Sequence, residues 1–242
     1  MRRRIPASAW TLRKALKILC YLAAARDHRA TKDRIADTFW PDGDPDVIEK
    51  NFHPTISYLR KALNMSHPVK KNFILFERGA YRLNPQYCYR IDLVEFEEAL
   101  RRARAAREDD PEEALRAYER AFALYRGDFL EEEYDEWAQT AAEHYGALLV
   151  GGLEEASDLL GEAGRWEHAL ALAQRLVQRD PFNETASCRV MEACAMMGNR
   201  AGAAQEYQRL SGVLEAELKT APLESTLRAY ERAMKGAAKP IV

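Results

Sequence analysis

The sequence predicts a mostly α-helical chain: a winged helix-turn-helix with a small β-hairpin wing, followed by a tetratricopeptide-like α-helical array. Three observations carry this expectation. Charge is segregated along the chain, apolar residues recur at helical spacing ahead of one glycine-turn hairpin pattern, and glycine and alanine repeat 34 residues apart in the second half. The net charge of -2 hides the segregation. Residues 1–90 carry 18 Lys and Arg against 8 Asp and Glu, a net +10, and residues 91–242 carry 18 against 30, a net -12. A basic half suits a polyanionic partner, and an acidic half avoids one. Two domains are therefore expected, 1–90 and 91–242.

The basic half reads element by element. Leu12, Leu16, Leu19, Leu22 and Ala23 form one stripe, with Arg13, Lys14 and Lys17 off it, which predicts a first helix over Leu12–Ala25. Arg2, Arg3 and Arg4 ahead of the apolar run Ile18–Ala25 superficially resemble a leader peptide. That run is only eight residues long, and the cations at 13, 14 and 17 interrupt its approach, so a helix is expected instead. Thr31 can cap a second helix through Ile35, Ala36, Phe39 and Trp40, which the run Pro41-Asp-Gly-Asp-Pro45 ends.

From Val47 to Leu63 the stripe Ile48, Phe52, Ile56, Leu59 and Leu63 leaves Lys50, His53, Ser57, Arg60 and Lys61 on or beside the other face. Cations and hydrogen-bonding groups so placed can reach phosphates and base edges in a major groove. Pro54 removes the amide that would bond the Lys50 carbonyl, so a break is expected, with the recognition helix starting near His53 and Val47–Phe52 forming a separate turn. Lys70 and Lys71 follow. Phe73–Phe76 and Ala80–Leu83 flank Glu77-Arg78-Gly79, the pattern of a hairpin whose tip carries Arg78.

In the acidic half, Gly164 and Gly198 are 34 residues apart, as are Ala169 and Ala203, the period of a tetratricopeptide helix pair. Trp166 and Pro181 fit the same unit, and Tyr207 repeats part of it. Asp110–Tyr118 reads as the second helix of an earlier pair. Ala114 and Ala169 are 55 residues apart, however, so an insertion holding Tyr125–Leu130 and Trp137 breaks the register. Stacked pairs bury a shared core and leave a surface for peptides or helices.

These residues resemble the SARP-type bacterial transcriptional activators, which join an OmpR-like winged helix to a bacterial transcriptional activator domain of tetratricopeptide helices. The resemblance rests on Lys14-Ala15 with Leu19 and Leu22, Phe39-Trp40-Pro41, Asn51-Phe52 and Leu59-Arg-Lys-Ala-Leu63. Gly79-Ala-Tyr-Arg-Leu83, Ile91-Asp-Leu-Val-Glu-Phe96, Tyr125-Arg-Gly-Asp-Phe-Leu130, Trp137 and Pro222 continue it over nearly the whole chain. It implies double-stranded DNA as partner, with Lys50, His53, Ser57 and Lys61 toward the major groove and Arg78 and Arg82 near the wing. Arg60 alternatively braces the helix. Lys70 and Lys71 complete the expected DNA-binding set. RNA polymerase or another regulatory domain, or a second copy of the chain, is the expected partner of the repeats. Only Met1–Ala9 precede Trp10, so the strands that such winged helices carry there are expected to be truncated.

No phosphate-binding loop, nucleophile elbow or paired catalytic His and Cys occurs, so neither catalysis nor a cofactor is expected. The five histidines lack ligand spacing, and no metal is expected. Cys20, Cys88, Cys188 and Cys194 form no CxxC pair and suggest buried free thiols in the cytoplasm. No apolar run approaches the ~18 residues of a membrane span. The rival reading is a protein-interaction scaffold whose winged helix does not bind DNA.

Overall fold

Helix α1 (Arg13–Ala24) buries Ala15, Ile18 and Leu22 on one stripe and so starts the core of the basic half. This architecture is that of a computed structural model, which describes residues 5, 7–65 and 71–235. After α1, Asp27 and His28 both take left-handed backbone angles (φ 55° and 51°) and turn the chain into a three-residue strand, β1 (Arg29–Thr31). Helix α2 (Lys32–Phe39) begins as its sequence suggests, with the Thr31 hydroxyl accepting the Arg34 amide at 3.2 Å. The Lys14 ammonium donates to the Phe39 carbonyl at 2.6 Å and lies 4.4 Å from the Trp40 ring, which closes the C-terminal end of α2.

Helix α3 (Pro45–Asn64) runs unbroken for 20 residues, with Pro54 inside it. The break expected near His53 does not occur. Asp44 caps the helix by accepting the Asp46 amide at 2.9 Å, and Pro45 occupies the first turn. Pro54 is on the exposed side, so the bond it removes is lost where water solvates the carbonyl. Strands β2 (Ile74–Glu77) and β3 (Ala80–Leu83) form the hairpin, with Arg78 (φ 49°) and Gly79 (φ 73°) both in the left-handed region that a two-residue turn requires. The sheet has one more strand than the expected hairpin: its antiparallel order is β1-β3-β2. Ala30, Tyr81, Leu83 and Ile74 join Ile18, Leu22, Ile35, Phe39, Phe52, Ile56 and Leu59 in one core.

The acidic half is helical throughout its regular elements: α4 (Asp92–Ala106), α5 (Pro111–Leu124), α6 (Glu136–Glu162), α7 (Trp166–Arg179), α8 (Glu184–Met196), α9 (Arg200–Val213), a π-helical turn at Leu214–Leu218, and α10 (Glu224–Lys235). The 34-residue repeat has a physical cause in the turns. Gly164 (φ 69°) ends α6 and Gly198 (φ 75°) ends α8 in the same way. The Arg165 amide returns to the Leu160 carbonyl at 2.8 Å, and the Asn199 amide to that of Cys194 at 2.8 Å. Gly164 bonds Gly161 and Gly198 bonds Ala195, which completes a Schellman closure at each turn. Ala169 and Ala203, equivalent in the repeat, are buried where small side chains let neighbouring helices approach. Asp110 caps α5 at the Glu113 amide, and Tyr118 is buried with its hydroxyl on Glu155, which also takes Arg104.

The chain divides into two compact units, Met1–Val94 with Phe129–Glu143, and Glu95–Asp128 with His144–Val242. The register-breaking insertion thus supplies part of the first unit. There Lys17 pairs with Glu133 and Asp135 at 2.5 and 2.7 Å. Trp137 lies 5.3 Å from Tyr21, 5.7 Å from Phe39 and 6.2 Å from Phe129, ring centre to ring centre. The cysteines depart from expectation: only Cys194 is buried, Cys20 and Cys188 are half-buried and Cys88 is exposed. Burial pushes the Cys20 thiol up to about 11. Among the described residues no helix is long and apolar enough to cross a membrane, and no cluster of His, Cys, Asp and Glu could hold a metal ion.

Candidate nucleic-acid interface

The exposed side of α3 is decided by what its other side must bury. Phe52, Thr55, Ile56, Leu59 and Ala62 are buried, and at 3.6 residues per turn this turns Lys50, His53, Pro54, Ser57 and Lys61 outward together. All five are exposed. Four of the sequence-derived candidates, Lys50, His53, Ser57 and Lys61, therefore share one face of one helix. Phe52 anchors that face. It is fully buried, 5.7 Å from Trp40 and 5.5 Å from Tyr81 of the hairpin.

Arg60 behaves differently. Its Nε and Nη2 both donate to the Ile74 carbonyl, at 3.0 and 2.9 Å, so this side chain braces α3 against β2 and is half-buried. Arg78 is exposed at the hairpin tip. Arg82 lies mid-strand on β3, half-exposed, opposite Arg29 of β1 and Leu75 of β2. Lys71 is half-buried, its amide bonded to the Asn64 side chain at 2.6 Å and its ammonium 5.0 Å from the Tyr87 ring. Lys70 lies outside the described residues.

Two groups that the sequence reading passed over complete the face. Glu49 accepts from Lys32 of α2 at 2.7 Å through Oε2 and meets His53 Nε2 at 2.9 Å through Oε1. The Lys32 bond holds the Glu49 carboxyl below its usual range, and the same bond raises the Lys32 ammonium. A carboxylate thus occupies the Lys32 ammonium and the His53 imidazole together. The i to i+4 spacing of Glu49 and His53 was readable in the sequence. The Lys32 partnership was not, because it depends on how α2 packs beside α3. The Lys32 amide also bonds the Gly79 carbonyl at 3.0 Å, which ties the first turn of α2 to the hairpin turn.

Three helices with the third presenting an exposed face that carries two lysines, and a hairpin fastened to them, make a winged helix, and the helices that follow stack in pairs. The family described as "Bacterial transcriptional activator domain" matches residues 91–235, well over half of the chain. The chain therefore belongs to that family, a family of transcriptional regulators. No curated protein matches the chain significantly. Among solved structures it is similar to Mycobacterium tuberculosis EmbR in complex with low affinity phosphopeptide, with a TM-score of 0.74 and 21% identity. The similarity covers 92% of this chain and 59% of that one. The chain thus spans less than two thirds of that protein's length, and the likeness establishes the fold.

Proposed function

We propose that the protein binds double-stranded DNA through its first unit, with α3 in the major groove and the hairpin turn at the adjoining backbone. The observation that carries this reading is the single exposed face formed by Lys50, His53, Ser57 and Lys61, within a segment of net charge +10. Lysines there meet phosphates or guanine edges, and Ser57 and His53 meet base edges. Arg78 serves as the wing contact, Lys71 and Lys70 supply nearby positive charge, and Arg60 acts indirectly by fixing α3 to β2. The helical repeats, of net charge -12 from residue 91 onward, repel nucleic acid and engage a protein instead: RNA polymerase, another regulatory domain or a second copy. The protein works in the cytoplasm, and its action involves no catalytic step.

Selection of duplexes from a random library by the purified chain tests the proposal. An enriched motif, lost when Ser57 and His53 are replaced by alanine, is the expected result. Recovery of unenriched sequence sinks specific recognition, and recovery of no duplex supports the scaffold reading in its place.

Glu49 gives a second, independent prediction. Glu49→Gln removes the carboxylate that occupies Lys32 and His53, so duplex affinity is expected to rise and its dependence on salt to steepen, because the freed Lys32 ammonium adds a phosphate contact. Fluorescence anisotropy across a salt series measures both. Weaker binding by Glu49→Gln would mean that the carboxylate positions Lys32 and His53 productively and does not compete with DNA.

A further inference from the structure

Strand β1, which sequence patterning did not reveal, brings two arginines together. Arg29 is the direct cross-strand partner of Arg82 in the antiparallel β1–β3 ladder. Side chains opposite each other in such a pair start about 5 Å apart, and like charges there oppose pairing. Neither arginine has an ion-pair partner among the described residues, and Glu77, the acid of this sheet, sits across from Ala80 and bonds neither. The Arg82 Nε is buried from solvent and has no acceptor. Leu75, the neighbour of Arg82 on the other side, adds an apolar flank to the row Arg29–Arg82–Leu75. An arginine whose Nε–H is buried without an acceptor, directly opposite a second, exposed arginine, is a site that an oxyanion completes: one anion offsets the repulsion and, as the Arg82 side chain turns toward it, accepts the orphaned N–H.

We propose that Arg29 and Arg82 form a two-arginine site for a phosphodiester, an additional backbone contact to the bound duplex on the outward row of the sheet. The proposal rests on the DNA-binding reading of this unit and adds to it a residue, Arg29, outside the α3 face. A phosphodiester is favoured over a protein carboxylate by the surrounding charge, since the site lies within the +10 segment and on the same sheet as the exposed hairpin turn. Planar guanidinium forks suit the tetrahedral oxyanion, and a lysine in place of Arg82 would lack the Nε donor.

The test uses the full chain and two readouts. Arginine Nε–H signals are followed by NMR during titration with inorganic phosphate, with the Arg82 signal assigned by its loss in Arg82→Lys. Duplex affinity is then measured across a salt series for the wild type, Arg29→Gln and Arg82→Lys, each checked for an unchanged thermal transition. The expected results are a phosphate-dependent shift of the Arg82 Nε signal that disappears in Arg29→Gln, and a log–log salt slope shallower by about 0.9 in Arg29→Gln with the preferred motif unchanged. Duplex binding with wild-type slopes in both variants and an unmoved Nε signal overturns the site. A shift produced by an acidic peptide but by neither phosphate nor duplex assigns the pair to a protein carboxylate and overturns it too. If phosphate moves the Nε signal while no form of the chain binds duplex, the DNA reading fails and the anion site stands.

Discussion

Replacing Lys50 and Lys61 together by alanine is expected to weaken binding to any duplex by roughly 30-fold at ~0.15 M salt, if both touch phosphate. The magnitude follows from counterion release. Each neutralised phosphate contributes a factor of salt concentration to the power of about -0.9, close to fivefold at that salt, and two such factors multiply. The log–log slope should become shallower by about two at the same time. Both lysines are exposed, so neither substitution opens a cavity or strands a buried group, and folding should be untouched. If either lysine reads a guanine instead, the slope changes less and discrimination at one base pair relaxes. A double variant that binds like the wild type removes the α3 face from the interface. Titration of Arg78→Ala and Lys71→Ala would then show whether those residues carry the binding.

The second large effect is structural. Phe52→Ala is expected to cost the first unit about 3 to 5 kcal/mol. That is a large part of the ~5 to 15 kcal/mol that holds a domain together. Phe52 is fully buried, touches the rings of Trp40 and Tyr81, and lies 5.6 Å from the Lys32 ammonium. Its loss therefore loosens α2, α3 and β3 at once, and duplex binding should fall with it. Calorimetry should show a lowered or missing transition for this unit while the transition of the helical repeats persists; two compact units make a single transition temperature an inadequate description. An unchanged melt would mean that the cluster around Phe52 contributes far less than its burial implies.

How much of this was legible in the sequence depends on the range of the interaction involved. Caps and turns are local, so Thr31 as the start of α2, the glycine turn that carries Arg78 at its tip and the turn glycines 164 and 198 could be read directly, although Glu77, read as part of the turn, belongs to β2. Helix α3 was legible in its buried stripe but not in its continuity: Pro54 argued for a break, and what outweighed it was the tertiary packing of Phe52, Thr55, Ile56 and Leu59 across the point of interruption. Strand β1 is three residues with no alternation to detect, and it exists because β3 pairs with it 50 residues later in the chain. The insertion was visible as a broken register, yet nothing local shows that Trp137 meets Tyr21 and Phe39. The α3 face was legible because it is the complement of a core stripe. Bracing by Arg60 was legible as one of two alternatives and the Glu49–His53 pair as an i to i+4 spacing, but the partnership of Lys32 with Glu49 was not, since it depends on how α2 packs beside α3.

The most direct test of the central claim is the affinity of the purified chain for random-sequence duplex DNA as a function of salt. The account predicts binding at low salt that falls steeply and linearly on a log–log plot, with a slope made shallower by Lys50→Ala and Lys61→Ala. Binding that is absent at low salt, or that is indifferent to salt, would contradict it.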